Sequence, residues 1–197
     1  MGYQVGFCRT KGNFISEAIV WFERLLRRSA KYSHVYLILP DGTIFESTWP
    51  RVQLAKWNEY AKTDHEVWSI KCLDETAFGE VIEGMIQEFK GRPYGVLTIA
   101  GFAWAIVWRK ILNRPIRNPV VRLANWWRKL TGKDLVPDLS VCSVLESIAI
   151  VRGVRAGAIA HLNPDAPSAK FNPFTTDPDQ ALERNQENPQ IFTKLPA

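Results

Sequence analysis

Ser140-Val141-Cys142-Ser143-Val144-Leu145-Glu146-Ser147-Ile148-Ala149-Ile150-Val151-Arg152-Gly153 reads as a short loop that delivers a cysteine to the first turn of a buried helix. Asp138 or Ser140 can cap that helix by accepting a backbone N–H, and Gly153 is the predicted stop. A thiol so placed sits among unpaired N–H groups at the positive end of the helix dipole, which favours thiolate over thiol. The same N–H groups can receive a developing oxyanion. The competing reading is a small apolar thiol packed in a core.

The chain around this stretch has 197 residues, 46% hydrophobic and 23% charged, enough for one domain with a substantial core. Three cysteines, Cys8, Cys72 and Cys142, without CxxC spacing, suggest neither a disulfide framework nor a zinc site, so no metal and no cofactor is expected. The N-terminus lacks the basic and apolar regions of a signal peptide. No run reaches the roughly 20 apolar residues of a transmembrane span. A reducing compartment and a cytoplasmic location are therefore expected.

The net charge of +5 is unevenly distributed. Between Arg92 and Lys133 lie nine basic residues and no acidic one, leaving sixteen basic against twenty acidic residues elsewhere. Arg109, Lys110, Arg114, Arg117 and Arg128 are interleaved there with Trp104, Trp108, Trp126 and Trp127. Such a field suits an anionic membrane or wall polymer, with nucleic acid the least expected partner. A merely solvated basic face is the alternative.

Upstream, residues 3–8 suggest a strand. Apolar Phe14, Ala18, Trp21, Phe22, Leu25 and Leu26 recur at helical spacing. Two β-rich runs, 32–39 and 44–48, flank Asp41-Gly42 and predict a hairpin. Its alternation puts His34, Tyr36 and Ile38 on one face, with Glu46 in cross-strand reach of His34. Residues 52–60 suggest a loop and a short helical turn with Trp57. Residues 65–72 suggest a strand with His65 at its solvent-facing entrance. A helix is predicted over 76–90, ended by Gly91. The apolar run 94–108 suggests a buried helix or a membrane-surface element, and 120–130 a short basic helix. From 163 onward recurrent prolines predict an extended tail rather than a second fold.

A cysteine nucleophile needs a base, and the base an orienting partner. His34 with Glu46 supplies both. The rival is His161, closer to Cys142 in sequence but without an evident carboxylate.

Ser33-His34-Val35 on a strand, the Asp41-Gly42 turn, Phe45-Glu46-Ser47, Gly91-Arg92-Pro93-Tyr94 and Cys142-Ser143 opening a helix together resemble the circularly permuted NlpC-like papain-fold amidases. The resemblance spans roughly residues 3–155. It implies an α+β, papain-like domain over 1–162, in which a small antiparallel sheet packs against helices and the nucleophile heads a helix. A basic, tryptophan-rich insertion occupies about 101–135, and the proline-rich tail 163–197. It also implies Cys142 as nucleophile, His34 as general base and Glu46 as the orienting residue, with Tyr94 and Ser143 as substrate or oxyanion contacts. Gly95 replaces an acidic residue expected after the tyrosine, and the interval from Tyr94 to Cys142 is long. The implied activity is hydrolysis of amide bonds in cell-wall peptide through a thioester. With it, in the absence of a signal peptide, a phage-associated lytic or virion role is the further expectation. The lecithin:retinol acyltransferase-like relatives suggest a lipid acyl substrate instead. A non-catalytic binding module is the third expectation.

Overall fold

Among the described residues, β-rich runs pair into a six-stranded antiparallel sheet. Its strands are β1 (Gln4–Arg9), β2 (His34–Ile38), β3 (Thr43–Ser47), β4 (Val52–Lys56), β5 (Asp64–Ile70) and β6 (Phe192–Lys194), in the order β4-β3-β2-β1-β5-β6. In this computed structural model, residues 2–9, 31–48, 50–56, 64–94, 142–170 and 178–196 are described, with positions 16, 17, 20, 21 and 24. The predicted turn at 10–13, Trp57, the capping candidates Asp138 and Ser140, most of the 94–108 run, the helix at 120–130 and the basic segment about 101–135 lie outside them.

The hairpin forms where Asp41-Gly42 predicts it. Asp41 Oδ1 accepts the Thr43 N–H at 2.8 Å and Oδ2 accepts the Thr43 hydroxyl at 2.9 Å. Gly42 takes the left-handed φ of 81° that the turn requires. Val5, Phe7, Val35, Leu37 and Phe45 line one sheet face and form the main core with residues of three helices. The opposite face carries a second buried cluster of Cys8, Tyr36, Ile38, Ile44 and Ala55.

Helix α1 (Glu75–Phe89) begins at Asp74, whose side chain accepts the Ala77 N–H. Its Phe78, Ile82, Met85 and Phe89 are buried, the 3.6-residue stripe read from the sequence. Each such side chain contributes about 1.5–3 kcal/mol on burial. Helix α2 (Cys142–Arg155) packs beside α1 and runs past its predicted stop. Gly153 lies inside the helix, against Phe78. The stop is Gly157, with φ 69°: its N–H bonds Val154 O at 3.0 Å and the Ala158 N–H bonds Gly153 O at 2.9 Å. This is a Schellman motif.

Three further expectations are corrected. Residues 52–56 are strand, not a loop leading into a helical turn; β4 pairs with β3, and only Val52 and Ala55 on it are buried, so alternation is blurred. Trp21 is 57% exposed although the helical pattern places it inward. The Ser16–Ser33 hydroxyl contact at 2.5 Å, the buried Val20 and the Arg9–Glu17 ion pair at 2.7 Å set that helical segment's facing instead. The region read as an extended tail folds into a 3-10 turn (Pro167–Lys170), helix α3 (Pro178–Glu187) and strand β6. Among the described residues no helix is long and apolar enough to cross a membrane.

A Cβ added at Gly153 would lie 2.7 Å from the Phe78 ring, whereas one at Gly84 on α1 meets nothing within 4 Å. Gly153→Ala should therefore destabilise the protein by about 1–3 kcal/mol, and Gly84→Ala should stabilise it by about 0.5–1 kcal/mol. Paired denaturant titrations check both signs.

Candidate active site

His34 opens β2, and the strand register places Glu46 opposite Tyr36, one diagonal step from His34. That diagonal is within side-chain reach on one sheet face. His34 Nε2 and Glu46 Oε2 are 2.7 Å apart. Gln53, opposite Glu46 on β4, donates from Nε2 to Glu46 Oε1 at 3.0 Å. Glu46 is fully buried, so these contacts hold a carboxylate that water does not reach.

Cys142 is the first residue of α2 and is buried. Its sulfur hydrogen-bonds the His34 side chain and accepts the backbone N–H groups of Val35 and Ser143. With Nε2 committed to Glu46, Nδ1 is the ring atom left for the sulfur. Burial opposes charge on the Cys142 thiol, but the hydrogen bond and charge of His34 and the two N–H groups outweigh it, so the thiol titrates below its ordinary value. Burial likewise opposes the imidazolium, yet Cys142 and then Glu46 hold His34 well above the usual imidazole range. Both shifts run in the direction of a thiolate–imidazolium pair.

The neighbouring side chains fit around that pair. The Tyr36 ring lies 5.8 Å from the His34 ring, centroid to centroid. Gly6 on β1 lies opposite Tyr36, and a Cβ there would stand 2.1 Å from the Tyr36 ring, so only glycine admits this packing. Cys8 pairs with His34 across β1 and is buried.

Tyr94 sits on a short segment against the β4 edge. The Val52 N–H bonds Arg92 O, and the Tyr94 N–H bonds Pro50 O, both at 2.9 Å. Tyr94 is buried; burial pushes its phenol up, and the nearby Cys142 charge pushes it further. The buried Ser143 contributes its N–H.

The structure does not bring His161 to the sulfur. It lies exposed beyond the far end of α2, a helix about 21 Å long, and its carbonyl accepts from Gln190 at 3.3 Å. His65 is exposed at the start of β5. Cys72 is half-buried against the core, its thiol pushed up to about 11 by burial and then by Glu75 and Asp74. Among the described residues no group of three or more His, Cys, Asp or Glu can hold a metal ion.

Gln53 and Gly6 belong to this site but carry no motif. Extending the hairpin register across a third strand would have found Gln53, had 52–56 been recognised as strand. Compared with protein-family models, curated proteins and solved structures, the chain matches none.

Alkylation of Cys142 should persist below the pH at which an ordinary thiol becomes unreactive, fading only as pH falls through its lowered pKa. His34→Ala should raise that midpoint, because burial then acts without its counter-charge. Gln53→Ala, which removes one hydrogen bond to a charged group, should slow neutral-pH alkylation about tenfold. Rates measured against pH by mass spectrometry read all three.

Proposed function

We propose that this protein is a cysteine hydrolase of amide bonds, acting through a thioester, with peptide of the bacterial cell wall as the leading substrate. The observation that carries the reading is the line Cys142–His34–Glu46, buried at both ends, in which a sulfur at a helix N-terminus meets an imidazole fixed by a carboxylate. This order of nucleophile, base and orienting group is the general logic of cysteine and serine hydrolases. The α+β architecture, with helices on one sheet face and histidine before cysteine in the chain, supports a permuted papain-like fold.

In this reading the Cys142 thiolate attacks the amide carbonyl carbon, and the C=O electron pair moves onto oxygen. The Ser143 N–H at the head of α2 and the Tyr94 hydroxyl are the candidate donors to that oxyanion. Collapse breaks the C–N bond while the His34 imidazolium gives its proton to the departing amine. A thioester to Cys142 remains. The neutral imidazole then takes a proton from water as the water oxygen attacks the thioester. The acid product leaves, and the thiolate–imidazolium pair is restored. Glu46, held by Gln53, keeps the ring oriented and supports its charge in both halves.

A second reading keeps this chemistry and changes the acyl donor to a lipid. The run Gly95-Val96-Leu97-Thr98-Ile99-Ala100, continuing into a basic, tryptophan-rich sequence, favours it, since such composition suits a membrane surface. The basic residues Arg109, Lys110, Arg114, Arg117 and Arg128 would hold the protein on wall polymer in the first case and on anionic lipid in the second.

Purified peptidoglycan and labelled phospholipid vesicles, incubated separately with the full chain, distinguish the two. New amino termini from peptidoglycan support the amidase, and acyl release from lipid alone replaces it. Cys142→Ala and His34→Ala should each reduce turnover to background with the fold intact. Glu46→Gln should cost about 10- to 100-fold. Turnover that survives Cys142→Ala would remove both readings.

A further inference from the structure

One helical turn along α2 from Cys142 lies a buried carboxylate that the proposed chemistry does not use. Glu146 is 1% exposed, and its i,i+4 spacing puts it on the same side of the helix as Cys142, about 5–6 Å away between Cβ atoms. Burial pushes its carboxyl up, and Arg184 opposes that shift. The Arg184 guanidinium, from α3, contacts both Glu146 oxygens through Nη2, and its Nη1 donates to Ser147 Oγ at 3.0 Å. A buried ion pair is weak support for stability alone, because apolar side chains of similar size can replace it at little cost. Its place beneath the sulfur suggests another use.

The same C-terminal segment reaches the histidine side. Asp179, near the start of α3, accepts the Lys31 N–H at 3.3 Å, three residues before His34. Lys194 of β6 pairs with Glu66 at 3.0 Å, and Glu66 also accepts the Tyr32 hydroxyl at 3.0 Å. Residues 178–196 thus grip both the helix that carries Cys142 and the lead into the strand that carries His34.

We propose that Arg184 is a positioning residue for Cys142: it cancels the Glu146 charge one turn from the sulfur and locks α3 onto α2, making the C-terminal segment part of the active unit. The proposal rests on Cys142 and His34 acting as a pair. Several charged or titratable groups face α2. Among the described residues these include His34 from β2, Glu46 from β3, Tyr94 from the β4 edge, Arg184 from α3, and Glu88 of α1, which pairs with Arg152 at 2.7 Å near the opposite end. Glu146 lies one turn from Cys142 on α2, and Arg184 reaches it from α3.

The test is the pH dependence of Cys142 alkylation by iodoacetamide in the full chain. Glu146→Gln strands the Arg184 cation one turn from the thiolate and should lower the midpoint by about one pH unit, while Arg184→Lys should stay near wild type. Arg184→Met leaves a buried carboxyl that takes up a proton rather than stay charged, so its midpoint should stay near wild type. A midpoint lowered by Glu146→Gln alone is the signature of charge. A Glu146→Gln midpoint that is unchanged or raised, or that moves together with that of Arg184→Met while the melting temperature falls, means a packing role and overturns the proposal. If Arg184→Met does not fold, Glu146→Gln decides by itself: a lowered midpoint supports the proposal, and an unchanged or raised one overturns it. His34→Ala in the same assay separates the layers. If it leaves the midpoint at the wild-type value, the Cys142–His34 pair itself fails. If it raises the midpoint and Glu146→Gln does not lower its own, only the positioning role fails.

Discussion

A buried sulfur and a largely buried imidazole can carry charge only if each supplies what the solvent no longer does. Burial disfavours thiolate and imidazolium alike, and their hydrogen bond reverses both preferences. Much of the local structure follows from holding that contact. Glu46 and Gln53 extend it across β3 and β4, so the imidazole faces a carboxyl group whose second oxygen is also bonded. Val35 and Ser143 turn their N–H groups to the sulfur, one from the strand and one from the helix. Neither donor depends on side-chain identity. Backbone placement therefore does much of the electrostatic work.

The sheet explains why the contact forms at one end. Both α1 and α2 pack on the face lined by Val35, Leu37 and Phe45, while Tyr36 and Ile38 point to the other. His34 begins its strand and Cys142 begins its helix, so each lies at the end of its element. There the imidazole can turn toward a sulfur anchored by the next residue's N–H. Deeper in the sheet the same pairing would place a strand between the two groups. Gly6, by leaving room for the Tyr36 ring, fixes the surface beneath His34.

The hairpin and the placement of His34, Glu46 and Cys142 were legible because each depends on short-range rules: an Asp-Gly turn, two-residue alternation and an apolar helix that follows a small polar residue. The diagonal offset between His34 and Glu46 required the register, which turn chemistry suggests and pairing fixes. β4 escaped because Val52 is buried on the helix-covered face, Ala55 on the opposite face and Leu54 is exposed, which leaves no two-residue period to read. Helix α3 escaped for a different reason. Its sequence Pro-Asp-Gln-Ala-Leu-Glu-Arg-Asn-Gln-Glu has almost no apolar stripe, and it is held by Arg184 on Glu146, a contact between residues 38 apart in the chain. Gly153 looked like a helix stop because glycine serves both as a terminator and as a spacer. Its proximity to Phe78 selects the second role.

The ionisation of His34 tests the central claim most directly. Nitrogen NMR of the imidazole near neutral pH should show both ring nitrogens protonated in the wild-type protein, with Cys142→Ser lowering the titration midpoint of that ring as the anionic partner is lost. A neutral His34 ring under the same conditions, or one whose titration ignores the loss of the sulfur, would contradict the thiolate–imidazolium pair.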